Sequence, residues 1–434
     1  MSKKILIIIF VLIIISAVSA TGLLFLFPYQ PDQPPKADDT NATQYGTQEV
    51  VNAVNQFAFD LYYQLEQSET GNIFYSPYSI FSALAMTYEG AKGETAEEME
   101  SVLHFPEVDT LRANFAAIYN NINKEDKEYE LKTGNALWVQ QDYPFLDDYL
   151  NIVERYYGGK AVNVDFVREP EKSIQTINSF IEEQTNGKIK DLIPEGAINE
   201  LTRLVLTNAI YFKGTWEWEF DKSDTKEKDF KITPKEVVKI QMMHMDPDKT
   251  EFNYAELEKL QILELPYKGE NISMLILLPK QGETYDYETE EIIVYNYTLG
   301  DIELSAEKLN EYKAHMKKTK LDSISVPKFE FDTKYFMKEV LSAMGMHSAF
   351  SSDADFSGID GKRNLFINQV IHQAYVNVDE EGTEAAAATA VGMVETAMPR
   401  NMKIFNADHP FIFIIQEKET GAILFLGKVV NPTL

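Results

Sequence analysis

The chain has no cysteine at all. That absence excludes disulfides, thiol catalysis, thiolate metal sites and lipidation through a cysteine, so packing alone must hold the fold. Histidine is scarce: His104, His244, His315, His347, His372 and His409 are the full set, and no two of them sit at metal-ligand spacing. No metal and no cofactor are therefore expected. The signatures of common catalytic chemistries are also missing, with no G-x-S-x-G elbow, no H-E-x-x-H helix and no G-x-G-x-x-G after a strand. Gly90 to Thr95 (GAKGET) has the residue types of a phosphate loop at the wrong spacing. The reading is accordingly not an enzyme. Positive charge is in deficit, 40 Lys and Arg against 68 Asp and Glu for a net charge of −28. Bulk electrostatics then argue against nucleic acid and anionic lipid surfaces as partners.

The hydrophobic content of 44% supplies a large core. By length alone the chain would hold two to three domains, and there are no internal repeats. Residues 5–27, ILIIIFVLIIISAVSATGLLFLF, follow Lys3 and Lys4. As a helix they would span roughly 34 Å at about 1.5 Å per residue, enough for a bilayer core of about 30 Å. Residues 1–27 are read as a membrane anchor with the bulk of the chain outside the cell. The alternative is a signal peptide cleaved after Val18-Ser19-Ala20, with a secreted product. Residues 28–47, rich in Pro, Asp, Thr and Gln, are expected to be a disordered tether.

From Gln48 the spacing of Val50, Val51, Val54, Phe57, Ala58 and Leu61 predicts an amphipathic helix. Ser76-Pro77 opens a second helix, with Ser76 as cap and Pro77 at its first position, and small, apolar Ala83, Leu84, Ala85 and Met86 mark it as buried. Asn135 to Val139 and Ala161 to Phe166 are predicted strands bracketing a helix at 146–156, and the stretch from Ser173 is a further amphipathic helix, capped near Gly187. Leu204 to Phe212 (LVLTNAIYF) is a continuous β-rich run, hence a central strand buried on both faces. Pro410 to Val430 predicts a hairpin turning at Thr420-Gly421.

The stretch Asn377 to Met398, NVDEEGTEAAAATAVGMVETAM, carries almost no bulky side chains. Its alternate residues Thr383, Ala385, Ala387, Thr389, Val391 and Met393 form a period-two set that would line the buried face of a strand. The same alanines favour an isolated helix, so local propensity is divided. The segment joins two β-rich regions by a connection of about thirty residues, and long connections in compact domains are usually functional or disordered.

EEGTEAAAATA at 380–390, FNADHPFIF at 405–413 and FLGKVVNP at 425–432 together resemble the hinge and C-terminal signature of the serpins. NIFYSPYSIFSALAMTYEGAKGETAEEM (72–99), TNGKIKDLI (185–193), LVLTNAIYFKGTWEWEF (204–220), LELPYKGENISMLILLP (263–279) and VPKFEFD (326–332) resemble further serpin blocks, in serpin order. The resemblance covers roughly 49–434. It implies an α+β serpin fold of three β-sheets with about eight to nine helices, as one domain over 48–434, with an exposed reactive-centre loop at about 380–404.

The resemblance also implies a function and its residues. The hinge would be Glu380, Gly382, Thr383, Glu384, Ala385, Ala386, Ala387 and Ala388. The bond offered to the protease would be Thr396-Ala397, with Glu395 and Met398 as neighbouring alternatives. Ser76, Ser79, Asn208 and His372 would form a hydrogen-bonded cluster beneath the main sheet, and Trp216 would lie where the hinge enters it. Taken singly, these residues are also what helix caps, a satisfied core histidine and an ordinary core aromatic look like. The implied partner is a target serine protease held as a covalent acyl complex, of elastase-like or subtilisin-like type given the small residue at the bond; a cysteine protease is a second candidate class. A monomer is expected. Insertion of residues 383–396 at about 3.3 Å each would carry the protease roughly 46 Å, against an expected radius of gyration of about 21 Å. The rival implication is a non-inhibitory surface binding or carrier protein of serpin fold, which would tolerate charged or bulky residues in the hinge.

Two features stand outside this pattern. GETYDYETEEIIVYNYTLGDIEL at 282–304 is acidic and tyrosine-rich where a plainer connection is expected; it is either a surface insertion or an exosite for a basic partner. Lys313, Lys317, Lys318 and Lys320 are read as a solvated helix face.

Overall fold

The computed structural model describes residues 36–124, 127–133, 136–200, 202–247, 250–286, 291–383 and 402–434. Residues 37–434 form one compact unit. The expected membrane segment 1–27, the hinge residues Glu384 to Ala388 and the bond Thr396-Ala397 lie outside the described residues. Among the described residues no helix is long and apolar enough to cross a membrane.

The first helix runs Gln44–Glu66, and Thr43 caps it by accepting the Gly46 N–H on its hydroxyl at 3.0 Å. Val50, Val51, Val54, Phe57, Ala58 and Leu61 are all buried, as the 3.6-residue spacing requires. The expected tether must be shortened. Ala37 is buried, Asn120 grips its N–H and its carbonyl at 3.0 and 2.9 Å, and Asp38 pairs with Arg155 at 2.5 Å. Specific polar contacts with two helices thus order residues 37–47, where low hydrophobicity alone suggested disorder.

Pro77–Tyr88 is buried at every position, with Ser76 as its cap and Pro77 in its first turn. It lies under the main sheet, whose strands run in the order Phe329–Phe336, Val370–Asp379, Gly382–Thr383, Leu204–Thr215, Ala136–Gln140 and Lys160–Val164, with Tyr129–Thr133 also paired to Leu204–Thr215. Leu204–Thr215 is central as expected, and its first nine residues are buried. A second seven-stranded sheet runs Ile73–Tyr75, Ile423–Val429, Phe411–Glu417, Ile272–Pro279, Leu260–Pro266, Glu251–Glu256 and Lys317–Lys320. The 411–429 hairpin supplies its second and third strands, and Phe74 stacks on both Phe413 and Phe425. A third sheet of four strands, Ile404–Asn406, Ser323–Pro327, Glu236–Met245 and Lys226–Thr233, receives the chain after residue 401. The architecture is α+β, with three main sheets and nine α-helices among the described residues.

The lysine cluster is not one helix face. Lys313 belongs to the helix Ala306–His315, and its ammonium donates to Gln416 Oε1 at 2.8 Å. Burial is the main influence on it and holds its pKa below the usual lysine value. At Met316 the backbone turns extended, and Lys317, Lys318 and Lys320 pair as an edge strand with residues 251–254. Tertiary strand pairing overrides the local helical spacing. The 282–304 stretch contributes a separate two-stranded hairpin, Gln281–Asp286 with Glu291–Asn296.

Candidate functional site

The site is built on the junction between two parallel strands, Leu204–Thr215 and Val370–Asp379. They pair directly from Val370↔Leu206 to Ala374↔Ile210. At the other end, Gly382–Thr383 lies between them, antiparallel to both: Thr383 opposes Gly214 and Val378, and Gly382 opposes Thr215 and Asp379. The hinge has therefore entered the sheet by two residues.

This entry is tightly fitted. A Cβ on Gly382 would lie 2.0 Å from the Gly214 carbonyl oxygen, so only glycine passes here. Thr383 is buried and its hydroxyl bonds the Tyr267 hydroxyl at 2.8 Å. Tyr267 stacks on Trp216, with ring centroids 4.5 Å apart and planes 14° from parallel. Trp216 in turn donates its indole N–H to the Asp379 carbonyl at 3.0 Å and its backbone N–H to the Glu381 carbonyl at 2.8 Å.

The turn that leads into the hinge carries two buried carboxylates, Glu380 and Glu381, 3% and 4% exposed. Each must be compensated. Lys328 and the Thr225 hydroxyl both donate to Glu380, each at 2.7 Å, and Lys222 donates to Glu381 at 2.5 Å. Burial by itself would push the Glu380 carboxyl up, but Lys328 and Thr225 outweigh it and hold the group below the usual glutamate value. Asp379, half buried with weaker compensation, is pushed up by burial instead.

Beneath the direct pairs sits the predicted four-residue cluster, and the structure brings all four together. Asn208 and His372 are register partners. The His372 Nδ1 bonds Asn208 Oδ1, Asn208 Nδ2 donates to Ser79 Oγ at 2.8 Å, and the Ser76 N–H donates to His372 Nε2 at 3.0 Å. Ser76 Oγ donates to the Leu424 carbonyl at 2.6 Å and accepts the Ser79 N–H at 3.1 Å. With Nε2 accepting, Nδ1 carries the proton and the imidazole is neutral. All four residues are fully buried, and burial pushes the His372 pKa down to about 3.

Of the predicted site residues, Glu380, Gly382, Thr383 and Trp216 thus meet at the entry point, while Ser76, Ser79, Asn208 and His372 meet below it. The sequence reading missed Tyr267, Lys222, Thr225, Lys328 and Gly214. Tyr267 and Lys328 lie inside quoted blocks, LPYKG and VPKF, but nothing local marks them, because their partners lie 116 and 52 residues away. Nothing in this arrangement is a nucleophile–base pair. It holds a strand end between two strands.

Comparison with known proteins gives a consistent result. The pattern of the family Serpin (serine protease inhibitor) matches residues 52–432. An uncharacterised serpin-like protein of Thermococcus kodakarensis is 45% identical over 387 residues, covering 88% of this chain and 86% of the relative. The leukocyte elastase inhibitor of Bos taurus is 41% identical over 387 residues, covering 88% of this chain and 100% of the relative. Among solved structures, human thyroxine-binding globulin superposes with a TM-score of 0.76 at 31% identity, covering 89% of this chain and 99% of that one.

Proposed function

Because this chain belongs to the serpin family, a family of protease inhibitors and not of enzymes, we propose that it is a suicide-substrate inhibitor of serine-type endopeptidases. The observation that carries this reading is the placement of Gly382–Thr383 between the strands Leu204–Thr215 and Val370–Asp379. Continuing that antiparallel register, the residue opposite Ile210 and the residue opposite Ala374 are one and the same, Ala387. The direct pair Ala374↔Ile210 is thus already in frame to receive it. The track is set for a whole strand.

In this mechanism the protease serine attacks the Thr396 carbonyl, its Oγ forms an ester with Thr396, and the peptide bond to Ala397 breaks, the new Ala397 amine taking the proton. Residues from Glu384 onward then enter the sheet. Each step separates a present pair, such as Val370↔Leu206, and replaces it with two ladders to the new strand. The residues sharing the buried face with Thr383 are Ala385, Ala387, Thr389 and Val391, none of which is large or charged, so entry requires little repacking. The strand Leu204–Thr215 offers partners as far as Met393, so an acyl group on Thr396 ends beyond the far end of the sheet.

The small residue at the proposed bond favours elastase-like or subtilisin-like targets, with a cysteine protease as a second class; the name of the bovine relative is in keeping with the first. The carrier reading draws on the thyroxine-binding globulin likeness. It is less well supported, because a hinge without insertion has no need of small residues from Gly382 to Ala388. Residues 5–27 are proposed to hold the protein at the cell surface, the alternative being secretion after cleavage beyond Ala20.

The test is to incubate residues 37–434 with subtilisin and with pancreatic elastase and to examine the products by denaturing gel and mass spectrometry. An SDS-stable adduct and a released peptide beginning at Ala397 support the reading. Clean cleavage without an adduct, followed by no rise in melting temperature of the cleaved product, overturns it.

A further inference from the structure

The hairpin Gln281–Asp286/Glu291–Asn296 pairs with no other strand among the described residues. Its base is fixed firmly. The Lys280 N–H donates to the Lys259 carbonyl at 2.8 Å, the Tyr297 N–H to the Lys280 carbonyl at 3.0 Å, and the Lys280 ammonium, paired with Glu256 at 3.0 Å, sits 3.9 Å over the Tyr295 ring. This last contact marks the Tyr295 side as the inner face. Alternation along the strand then puts Ile292 and Val294 on the outer face, where they are 63% and 65% exposed. Glu283, also exposed, lies opposite Val294 in the register.

The base of this hairpin adjoins the point where the chain returns from the reactive-centre loop. Gln261, register partner of Leu278 two residues before Lys280, donates its amide to the Ile404 carbonyl at 3.0 Å. His409 Nε2 bonds the Pro279 carbonyl at 2.7 Å. Met402 and Ile404 at this return point are themselves exposed, 60% and 43%. Across 281–304 the sequence has no Lys, Arg or His but seven acids: Glu283, Asp286, Glu288, Glu290, Glu291, Asp301 and Glu303.

We infer that the outer face of this hairpin, with Ile292 and Val294 as its apolar centre and Glu283 in its acidic surround, is a docking surface for the target protease, engaging basic groups beside that protease's active-site cleft. The inference rests on the inhibitor reading for the identity of the partner. A protease seated on the loop must come close to the 402–404 return, and the hairpin base adjoins that return. An acidic rim raises the association rate and narrows the choice of partner toward basic surfaces, and a desolvated Ile–Val pair at the centre slows dissociation. Paired, exposed β-branched residues on an isolated two-stranded sheet are otherwise a liability for aggregation, which a partner's cover removes.

The experiment uses the full-length chain and a subtilisin made inert by replacing its nucleophilic serine with alanine, either native or with its surface carboxylates amidated to make it basic. Binding is measured by biolayer interferometry for the wild type, Ile292→Ser/Val294→Ser, Glu283→Lys and a charge-matched control, Glu195→Lys, on the exposed loop after the helix Pro170–Gln184. The expected result is that the wild type binds the amidated protease about tenfold tighter than the native one. Both hairpin variants should lose most of that preference while Glu195→Lys keeps it, and added salt should diminish the preference. Equal binding of wild type and hairpin variants, an equal loss in Glu195→Lys, or no preference in the wild type overturns the inference. Because the protease is inert, this outcome is separate from the inhibitor reading, which fails instead when active subtilisin cleaves the chain, forms no adduct and leaves a cleaved product with no rise in melting temperature.

Discussion

His372 and Asn208 face one another directly across the junction of two parallel strands, and their side chains are bonded to each other on the buried side of the sheet. If the loop enters as proposed, the same register that places Thr383 opposite Gly214 and Val378 would bring Thr389 between these two residues. The bond between them is one of the contacts that close the junction, and an incoming strand would have to break it. A threonine hydroxyl, which both donates and accepts, is suited to taking its place.

If insertion follows cleavage, the imidazole of His372 changes partners. Imidazole nitrogen NMR of the intact and cleaved chains should show a distinct His372 environment in each, with the cleaved form melting well above the intact one. An unchanged His372 signal after complete cleavage would mean that the strand stops short of Thr389.

Burial of neutral His372 makes stability depend on pH. Its pKa is lowered from 6.5 to about 3 in the fold, so between those values the unfolded chain binds a proton that the folded chain does not. The stabilisation is fully present above about pH 6.5 and is lost as pH falls toward 3, by about 1.4 kcal/mol per pH unit over that window. His372→Gln should flatten this part of the urea-denaturation profile relative to wild type. It should also cost about 1–3 kcal/mol at pH 7, because the bonds to Ser76 and Asn208 are disturbed.

Thr383→Arg tests the hinge. The position is buried against the Tyr267 hydroxyl, and a guanidinium there cannot enter without an unpaired charge. The loop should still be cut, but adduct on an SDS gel should fall by about tenfold or more relative to cleaved chain, since slower entry lets deacylation win. Undiminished adduct would show that entry does not limit trapping.

Gly382→Ala tests the fit of the first two residues. The new Cβ meets the Gly214 carbonyl at 2.0 Å, so the hinge strand must withdraw from between its neighbours. Limited proteolysis should cut at 380–384 faster than in the wild type. Equal rates would mean that the strands part enough to admit a methyl group.

Lys328→Met should leave the buried Glu380 carboxylate without its nearest cation, and thermal unfolding at pH 7 should detect a loss of about 2 kcal/mol or more. Glu380→Gln in the same chain should restore part of it. In the wild type the Glu380 contribution is present above its ordinary value of 4.5 and is lost as pH falls through its lower folded value. Additive losses in the two single variants would show that the pair is not coupled.

Much of this was legible in the chain. Periodicity marked the helix carrying Val50 to Leu61, Ser76-Pro77 marked the start of the next, and the β-rich run from Leu204 marked a central strand, because each of these is a local choice that burial reinforces. The alternation from Thr383 marked a segment able to be a strand. Local signals failed where a distant partner decides. Asn120 and Arg155 order residues 37–47, and strand pairing with 251–254 turns Lys317 to Lys320 from helix to edge strand. The sequence by itself determined which residues are small enough to suit a closely fitted strand: one glycine and a row of small side chains. Only the tertiary structure decided where the first two of them, Gly382 and Thr383, lie. Gly214, Tyr267, Lys222 and Lys328 come from separate parts of the chain, and the frame shared by Leu204–Thr215 and Val370–Asp379 is a hydrogen-bond register, set between strands and written in neither.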